Sequence, residues 1–252
     1  MKQYDRWKQL IAILSHKEQM PVYLLAKKLD VSLATIRRDL AILEKDRVII
    51  RSHGYAKLSL VEEDEPSDVS KQLISISGKE QIAAYAASLV QPGDFVFLDS
   101  GTTIRCIIKH LIQPDLTVVT NCPLHVESLV RKGIRVILCS GEVKPNTFAC
   151  VGAKTIEQIR QYHFDIAFVG SNGVSGNSGF STHEFNEAEV KTNILLQAKK
   201  RYILADSRKM NQEYFITFWK MEDATLITDT RVSGFDYDRT DCIIVDETGT
   251  QS

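Results

Sequence analysis

Hydroxyl side chains and a glycine follow a short apolar run near the middle of the chain. The segment reads Asp99-Ser100-Gly101-Thr102-Thr103 and stands between a predicted strand and a predicted helix. Glycine allows a ligand to approach the backbone closely, hydroxyl groups donate hydrogen bonds, and the first turn of a helix presents unpaired N–H groups. These properties suit a phosphate group. Most turns of this composition only connect two elements, so the segment alone leaves both interpretations open.

Polar, turn-forming residues also follow other apolar runs in the C-terminal part of the chain. These turns are Thr120-Asn121, Ser140-Gly141, Gly170-Ser171-Asn172-Gly173 and Asp206-Ser207. In an open parallel sheet, ligands bind in the crevice beyond the carboxyl ends of the strands. The sequence therefore predicts a ligand pocket where these turns meet.

A second candidate chemistry belongs to a basic helix predicted over residues 33–46. Ile36, Leu40 and Leu43 form its apolar stripe, and Ser32 precedes it as a good N-cap that could also donate to a phosphate. Arginines on such a helix can fork onto guanine edges or clamp a phosphate. The residues predicted to contact DNA, on this helix and on a hairpin that follows it, are Ser32, Thr35, Arg37, Arg38, Arg51, His53 and Lys57.

The elements around this helix decide whether its arginines contact DNA or form a solvated helix face. Apolar stripes predict two further helices, one over residues 3–15 and one after Pro21. Two β-prone runs flank Ser52-His53-Gly54, which predicts a hairpin, or wing. Three helices and a wing describe a winged helix-turn-helix, which favours the contact with DNA. We assign residues 1–58 to this domain and the acidic, proline-containing segment 59–72 to a linker.

The remainder of the chain, residues 73–252, shows short apolar runs separated by amphipathic helical stretches. The runs are FVFLD, LTVVT, IRVILC, DIAFVG, RYILAD, ATLITD and DCIIVD. Continuous apolar strands separated by helices are typical of a mainly parallel sheet covered on both faces. The predicted fold class is therefore α/β: a small winged helix-turn-helix and a larger, mainly parallel α/β sheet domain with helices on both faces.

Charge and composition separate the two parts. Residues 1–60 contain 12 Lys+Arg and 6 Asp+Glu, a net charge of +6, whereas the whole chain has a net charge of −1. A basic head on an acidic body indicates that the head alone meets a polyanion, although chance clustering would give the same balance. No apolar run approaches the ~18 residues that a membrane span needs, and the N-terminus does not resemble a secretory signal. We expect a cytoplasmic protein without membrane contact.

Several chemistries are not supported by the sequence. The cysteines are scattered and form no Cys-x-x-Cys pair, which argues against a disulfide framework and a zinc site. The histidines have no metal-ligand spacing, and the glycine-rich segment at 170–179 matches neither a Walker nor a dinucleotide motif. No serine stands in a nucleophile elbow. We expect no metal, no cofactor and no catalytic residue.

The N-terminal part of the chain resembles the DeoR family of repressors. In that family a run V-S-x-x-T-I-R-R-D-L precedes a wing that ends in H-G-G-A, and this chain reads VSLATIRRDLAILEKDRVIIRSHGYAKL. Tyr55 stands where the family usually has a second glycine. A bulky residue there restricts positive φ angles, so we expect a wing tip of different shape or an aromatic contact to DNA.

Residues 73–230 resemble the effector domain of the same family, which is related in fold to ribose-5-phosphate isomerase. The matching stretches are FLDSGTT, VVTNCPL, DIAFVG, GFS, NEAEVK and LADSRKM. The resemblance implies an effector pocket that binds a phosphorylated sugar and is lined by Asp99, Ser100, Gly101, Thr102, Thr103, Asn121, Gly141, Lys191, Asp206 and Lys209. Two alternatives stay open: Lys191 as an exposed partner of Glu187 at helical spacing, and Asp206 as a helix cap.

Three departures from the family pattern bear on the effector. Glu142 replaces the second glycine of a usual Gly-Gly pair, Cys122 replaces a usual serine, and Arg208 and Met210 flank Lys209 where serine and phenylalanine are common. A carboxylate near a phosphate site is unfavourable unless it is paired. We expect Arg208 or Lys144 to pair with Glu142.

The leading interpretation is a repressor of a carbohydrate-utilisation operon that binds double-stranded operator DNA and responds to a small phosphorylated sugar. A homodimer or homotetramer is expected, because two recognition helices read two half-sites. An alternative is a sugar-phosphate isomerase-like enzyme with an accessory DNA-binding head, in which Asp99, Glu187 and Lys191 do acid–base work. A third interpretation is a DNA-binding adaptor whose sensor domain binds only protein.

Overall fold

A computed structural model describes residues 2–15, 19–45, 48–58 and 68–245. The chain divides into two compact units, Met1–Ile74 and Ser75–Ser252. Most of the segment assigned to a linker, residues 59–67, lies outside the described residues. The end of that segment, from residue 68 onward, is helical and belongs to the first unit.

The first unit consists of helices and a small sheet. Its elements in chain order are α1 (Gln3–Ser15), β1 (Met20–Pro21), α2 (Val22–Lys28), α3 (Leu33–Lys45), β2 (Ile49–Ser52), β3 (Tyr55–Leu58) and α4 (Asp68–Leu73). The apolar stripes of α1 and α3 meet in one core, which contains Leu10, Leu14, Ile36, Leu40 and Leu43. This is the predicted helix-turn-helix arrangement.

Strands β2 and β3 form the predicted wing. They pair antiparallel with Ser52 opposite Tyr55, so His53 and Gly54 make a two-residue loop. Both loop residues have positive φ, +47° for His53 and +82° for Gly54, which is the requirement of the type I′ turns that suit β-hairpins. Tyr55 lies in β3 and so needs no positive φ, and the missing second glycine does not alter the turn.

The second unit contains the remaining helices and strands. They are α5 (Ile76–Ser88), β4 (Phe95–Leu98), α6 (Thr102–His110), β5 (Thr117–Thr120), α7 (Pro123–Arg131), β6 (Arg135–Leu138), β7 (Glu142–Val143), β8 (Cys150–Val151), α8 (Ala153–Ile159), β9 (Phe164–Gly170), β10 (Gly173–Ser175), β11 (Gly179–Thr182), α9 (Phe185–Leu196), β12 (Ala198–Leu204), β13 (Ile216–Trp219), β14 (Thr225–Thr228) and β15 (Cys242–Ile244). Short 3₁₀ turns occupy Ser207–Lys209, Met221–Asp223 and Tyr237–Arg239.

Seven strands form one parallel sheet in the order β15-β14-β12-β9-β4-β5-β6. Its central strand β9 is buried on both faces: Ile166 and Phe168 face one hydrophobic core, and Ala167 and Val169 face another. Helices α5, α6 and α7 contribute to the first of these cores, and α8 and α9 to the second. The predicted parallel sheet with helices on both faces is confirmed. Two small antiparallel sheets, β10-β11-β13 and β7-β8, complete the unit.

The strand order brings several of the predicted site residues together at the carboxyl ends of the central strands. Asp206 follows β12, Gly170 ends β9, Asp99 follows β4 and Asn121 follows β5, and these four strands are consecutive neighbours. Neighbouring strands lie about 4.8 Å apart, so side chains at the ends of adjacent strands can contact the same ligand. None of the helices in the described parts of the chain is long and apolar enough to cross a membrane.

Candidate functional site

Helix α3 begins at a capped N-terminus. Ser32 Oγ accepts a hydrogen bond from the backbone N–H of Thr35 at 3.1 Å and lies 2.9 Å from Thr35 Oγ1. This is the predicted N-cap, and it occupies one lone pair of the hydroxyl. Both groups remain at the surface, so a phosphate could reach the Ser32 hydroxyl without unwinding the helix.

Two arginines of α3 are exposed, and the aspartate that follows them is not. Arg37 and Arg38 lie on the surface, whereas Asp39 is only 1% exposed and pairs with Arg6 of α1. Burial alone would raise the pKa of the Asp39 carboxyl, but hydrogen bonds from Arg6 and its neighbours outweigh burial and lower it. Asp39 therefore joins α1 to α3, and the exposed face of α3 keeps its positive charge.

The wing side chains differ in how they are held. Arg51 donates from Nε to Glu44 Oε2 at 2.7 Å, and its backbone N–H donates to the same carboxylate. His53 and Lys57 are exposed, and His53 Nδ1 lies 2.9 Å from Ser52 Oγ. A phosphate contact by Arg51 would have to compete with Glu44.

A groove of about 530 Å³ runs between α2, α3 and the wing. Its lining includes the exposed side chains of Tyr23, Leu33, Arg37, His53 and Tyr55. Aromatic and apolar side chains beside arginine give this surface both a cationic and an apolar component. Three of the residues predicted to contact DNA line the groove together with the aromatic ring of Tyr55: Arg37, Arg51 and His53.

In the second unit, a buried ion pair stands at the carboxyl ends of β4 and β9. Lys191 Nζ of α9 lies 2.5 Å from Asp99 Oδ2 and donates to the Gly170 carbonyl oxygen at 3.0 Å. Asp99 Oδ2 also accepts the Gly170 N–H at 3.0 Å. Burial alone would raise the pKa of Asp99, but the charge and hydrogen bond of Lys191, together with the backbone N–H groups of Gly170 and Ser100, outweigh burial and lower that pKa. Lys191 is 5% exposed, so the alternative of an exposed partner for Glu187 is wrong.

The turn after Asp99 leads into α6 as predicted. Gly101 is the N-cap of α6, and Thr102 and Thr103 form its buried first turn. A Cβ on Gly101 would lie 3.3 Å from Ile104 Cγ1 and 3.7 Å from Gly170 Cα. Glycine thus avoids a tight contact with Ile104 of α6, and Ser100 in the same turn is half-buried.

A cluster of charges surrounds Asp206 at the end of β12. Asp206 caps the 3₁₀ turn that follows it and accepts from Arg208 Nε at 3.0 Å. The charges of Arg208, Lys79 and Lys209 together hold the pKa of Asp206 below its usual range, against the opposing effect of burial. Asp206 is therefore both a cap and a member of the buried cluster.

Lys79 was not predicted as a site residue. It lies in the first turn of α5, is 4% exposed, and burial lowers its pKa to about 8 despite the opposing charge of Asp206. Cys106 of α6 also acts on Lys79, and its thiol donates to the Thr102 carbonyl oxygen. Lys79 thus belongs to the cluster around Asp206, and α5, which carries it, packs against α6.

The sequence does contain a signal for Lys79. It occupies the same helical stripe as Ile82, Ala83 and Ala86, all of which are buried, so its spacing of three, four and seven residues marks a lysine on an apolar face. The close fit of α5 depends on its neighbour Gly78, because a Cβ there would lie 2.1 Å from Asp229 Oδ2.

The remaining predicted pocket residues are placed differently. Asn121 is 1% exposed. Gly141 is exposed after the edge strand β6, where its φ of +139° and the nearness of Thr155 Oγ1 exclude a side chain. Lys209 is half-buried beside Asp206. The structure therefore groups Asp99, Thr102, Thr103, Lys191, Asp206 and Lys209 around β4, β9 and β12, with Asn121 on the next strand and Gly141 at the edge of the sheet.

The structure shows the surroundings of Glu142 and of Lys144 and Arg208, the two cations expected to pair with it. Glu142 is exposed in β7. Lys144 lies 3.0 Å from Glu187 Oε1 and 3.4 Å from Glu184 Oε2, and Arg208 pairs with Asp206. Both cations thus stand beside carboxylates other than that of Glu142.

The residues suggested for acid–base chemistry are engaged in separate contacts. Glu187 accepts from Thr147 Oγ1 at 2.7 Å and from Lys144, whereas Asp99 and Lys191 bond to each other. Among the described residues, no group of three or more His, Cys, Asp or Glu side chains could hold a metal ion. The site offers buried cations, backbone N–H groups and hydroxyls, which is a chemistry for binding a polar anion.

Two family models match the chain. The model of the DeoR-like helix-turn-helix domain matches residues 6–59, and that of the DeoR C terminal sensor domain matches residues 74–230. These matches cover the same two parts of the chain that fold as separate compact units.

Curated relatives match along most of their length. The regulator FruR of Bacillus subtilis, described as an uncharacterized HTH-type transcriptional regulator, is 37% identical over 89% of this chain and 90% of its own. The lactose phosphotransferase system repressor of Streptococcus mutans is 33% identical over 91% of this chain and 93% of its own. The HTH-type transcriptional repressor GlcR of Bacillus subtilis is 30% identical over 100% of this chain and 96% of its own.

Proposed function

The chain belongs to the DeoR family of transcriptional regulators, and we propose that it represses a carbohydrate-utilisation operon until a small phosphorylated sugar binds its sensor domain. The names of two relatives, a lactose phosphotransferase system repressor and the repressor GlcR, support repression and a link to sugar uptake. The observation that carries the proposal is the cluster formed by the buried Lys79 and Asp206 and the half-buried Lys209 at the carboxyl end of β12.

This cluster fits a phosphate group for two reasons. Lysine ammonium groups attract a dianion most strongly where water is scarce, because the effective dielectric constant is low there. The first turn of α6, with Thr102 and Thr103, adds N–H groups and hydroxyls that donate to phosphate oxygens. We place the phosphate of the effector between Lys79 and this turn, and its sugar toward Asp99 and Asn121.

The test is thermal unfolding of the full chain with sugar phosphates, their unphosphorylated parents and inorganic phosphate. A ligand at ~100 times its dissociation constant stabilises a protein by about 2.7 kcal/mol, which raises the melting temperature by several degrees. A rise with one phosphorylated sugar and none with its parent supports the proposal. A flat panel contradicts it and favours the adaptor interpretation.

We propose that the groove between α3 and the wing faces the operator, with Ser32, Thr35, Arg37, Arg38, His53 and Lys57 in contact with DNA and Arg51 in competition between phosphate and Glu44. In an equilibrium titration at increasing salt, log K decreases linearly with log [salt], and the steepness of this decrease is reduced by about 1 for each phosphate that the protein no longer neutralises. Arg38→Ala should make the decrease less steep, and Arg131→Ala, which removes an exposed arginine from α7, should not. Equal slopes for both variants would remove Arg38 from the interface.

A homodimer or homotetramer follows from the same proposal, because two recognition helices about 34–36 Å apart read two half-sites. We propose a regulator without catalytic activity, since the Glu187 carboxylate bonds to Lys144 and Thr147 while Asp99 bonds to Lys191. An assay of the full chain with ribose 5-phosphate tests this point. Turnover that Asp99→Asn abolishes would revive the isomerase alternative.

A further inference from the structure

A hydrogen-bond network at the carboxyl end of β5 contains two buried polar atoms without a partner. Thr120, Asn121 and His125 are 0%, 1% and 0% exposed. Within the described parts of the chain, Asn121 Oδ1 and His125 Nε2 have no hydrogen-bond partner. A buried acceptor without a hydrogen bond is unfavourable, so such atoms in native proteins usually bind a water molecule or a ligand.

The network assigns the tautomer of His125. The Thr120 hydroxyl donates its proton to the Leu98 carbonyl oxygen at 2.7 Å. Thr120 Oγ1 also lies 2.9 Å from His125 Nδ1 and accepts the Cys122 N–H at 3.1 Å. Because the hydroxyl has only one proton, His125 Nδ1 must carry the proton of the second bond. A neutral imidazole has one N–H, which leaves His125 Nε2 as an acceptor.

The imidazole is neutral, and its partner Thr120 bonds to Leu98, the residue before Asp99. Burial, with a further effect of the nearby Arg105 guanidinium, lowers the pKa of His125 to about 3, against an opposing effect of Asp99. Thr120 thus places the ring near the start of the turn of residues 99–103, which leads into α6. At neutral pH His125 Nε2 therefore presents a lone pair, and a bare phosphate oxygen, itself an acceptor, cannot satisfy it.

Resting on the proposed function, we propose that His125 Nε2 and Asn121 Oδ1 accept hydrogen bonds from hydroxyl groups of the effector's sugar and so select among sugar phosphates. A hydroxyl group is the complement of two acceptors, and a site built to bond a hydroxyl strongly rejects an analogue without it, because the buried acceptors then stay unpaired. The cations near Asp206 retain the phosphate, which divides the pocket into a charged part and a neutral part.

Substitutions of His125 test the roles of its two ring nitrogens separately. In His125→Asn, the amide reaches the position of Nδ1 and can keep the bond to Thr120, but nothing replaces Nε2. In His125→Gln, the longer amide places a polar atom near the position of Nε2. His163→Asn, at an exposed histidine, is the matched control.

The experiment measures dissociation constants of the full chain by calorimetry for inorganic phosphate, glucose 6-phosphate, fructose 1-phosphate, fructose 6-phosphate, galactose 6-phosphate and 2-deoxyglucose 6-phosphate. We expect His125→Asn to weaken the preferred sugar phosphate by about tenfold or more and to leave inorganic phosphate unchanged. We expect His125→Gln to recover part of the loss and His163→Asn to change nothing. If inorganic phosphate and the preferred sugar phosphate bind the His125→Asn variant as they bind the wild type, this inference is wrong while the proposed function stands.

Nitrogen-15 spectra of the histidine rings give a readout that does not depend on affinity. The free protein should show His125 protonated at Nδ1, and addition of the preferred sugar phosphate should shift the Nε2 resonance in the direction of an accepted hydrogen bond. A proton on Nε2 overturns the inference. An Nε2 resonance that does not change on addition of the sugar phosphate also overturns it, because Nε2 would then bind a buried water molecule and not the sugar. If no probe binds the wild type, the proposed function itself fails and the inference falls with it.

Discussion

The two buried lysines of the sensor domain have different electrostatic surroundings. Lys191 makes a direct contact with the carboxylate of Asp99. Lys79 is near Asp206, but Arg208 and Lys209 act on it with the opposite sign, and burial dominates the balance. The carboxylate of Asp99 therefore compensates the burial of Lys191, whereas Asp206 compensates the burial of Lys79 only in part.

This difference predicts the behaviour of Lys79→Met. The folded-state pKa of Lys79 is lowered from 10.5 to about 8, so below pH 8 the native state bears the cost of a buried charge, on the order of 3 kcal/mol. The unfolded chain holds the proton up to about pH 10.5, so wild-type stability should rise between pH 8 and 10. Lys79→Met should lack this rise, melt at a higher temperature at pH 7, and lose most of the stabilisation by the sugar phosphate. Thermal unfolding across this pH range measures all three effects.

An exposed lysine provides the control for this prediction. Lys154 of α8 pairs with Glu157 at the surface, so Lys154→Met should change stability by less than about 0.5 kcal/mol and leave the effector response intact. A Lys79→Met variant that is less stable at pH 7 and still responds fully to the sugar phosphate would make Lys79 a structural residue only.

For the Asp99–Lys191 pair we expect the opposite effect, a loss of stability when one partner is replaced. Asp99→Asn leaves the ammonium of Lys191 buried without its carboxylate, and breaking a buried pair costs about 3–5 kcal/mol. Because the pKa of Asp99 is lowered, its contribution is present above the ordinary carboxyl pKa and is lost as the pH falls. The difference between wild type and Asp99→Asn in urea denaturation should therefore shrink below about pH 4.

The surface pair of Asp165 and Lys199 is the matched control. Its N–O distance is 2.7 Å, but the Asp165 and Lys199 side chains are 37% and 72% exposed, so Asp165→Asn should cost less than about 1 kcal/mol. A loss of equal size for Asp99→Asn and Asp165→Asn would show that Lys191 finds another carboxylate or water.

Among the individual residues of the pocket, the sequence predicted those that follow strands better than those that lie on helices. Asp99, Asn121 and Asp206 follow apolar runs, and the rule for parallel sheets places such residues together. Lys79 and His125 lie on helices that pack over the strand ends, and no local pattern specifies which strand end a helix covers. Which residues bind the effector stays a prediction for all of them.

Ser32 is proposed to have two roles, one in capping helix α3 and one in binding DNA. Ser32 caps α3 through the Thr35 N–H, and the same hydroxyl is predicted to donate to a DNA phosphate. The cap uses a lone pair of Ser32 Oγ, whereas the phosphate contact uses its proton, so the two roles are compatible and separable by mutation.

Substitution of Ser32 by Asp and by Ala separates these roles. Ser32→Asp keeps a capping oxygen and should leave the stability of the domain within about 0.5 kcal/mol of wild type, whereas Ser32→Ala should cost about 1 kcal/mol. Both variants should bind DNA more weakly, Ser32→Asp more so because it repels phosphate. Circular dichroism measures the stability and fluorescence anisotropy the binding. Normal DNA affinity for Ser32→Asp would limit Ser32 to its capping role.

The helices and strands that the sequence predicted correctly are those with a clear apolar pattern. The first three helices of the first unit and the strands of the large sheet have apolar patterns, and the structure confirms them, whereas α4 lies mostly in the segment assigned to a linker and was not predicted. The sheet β10-β11-β13 was not predicted. Its strands are as short as most strands of the large sheet, but β10 and β11 consist largely of glycine, serine and threonine and so lack a continuous apolar run.

For the molecule as a whole, the net charge of +6 on residues 1–60 is opposed by the acidic remainder. DNA therefore binds one unit and the effector is proposed to bind the other, and the two ligands affect each other only if they prefer different states of the chain. A repressor that releases DNA on binding the effector must show negative coupling, and linkage requires this coupling to be reciprocal.

Reciprocity gives a prediction that needs no assumption about how the two units are arranged. If a saturating sugar phosphate weakens binding of the full chain to a duplex selected from random DNA, saturating duplex should weaken sugar-phosphate binding by the same factor, about 5–150-fold for typical couplings. Anisotropy measures the first factor and calorimetry the second. His125→Asn should leave the duplex affinity without effector unchanged and raise the concentration of sugar phosphate needed for release. Unequal factors would show that oligomer dissociation or a further ligand takes part in release, and a factor of one would remove the sensor domain from control of DNA binding.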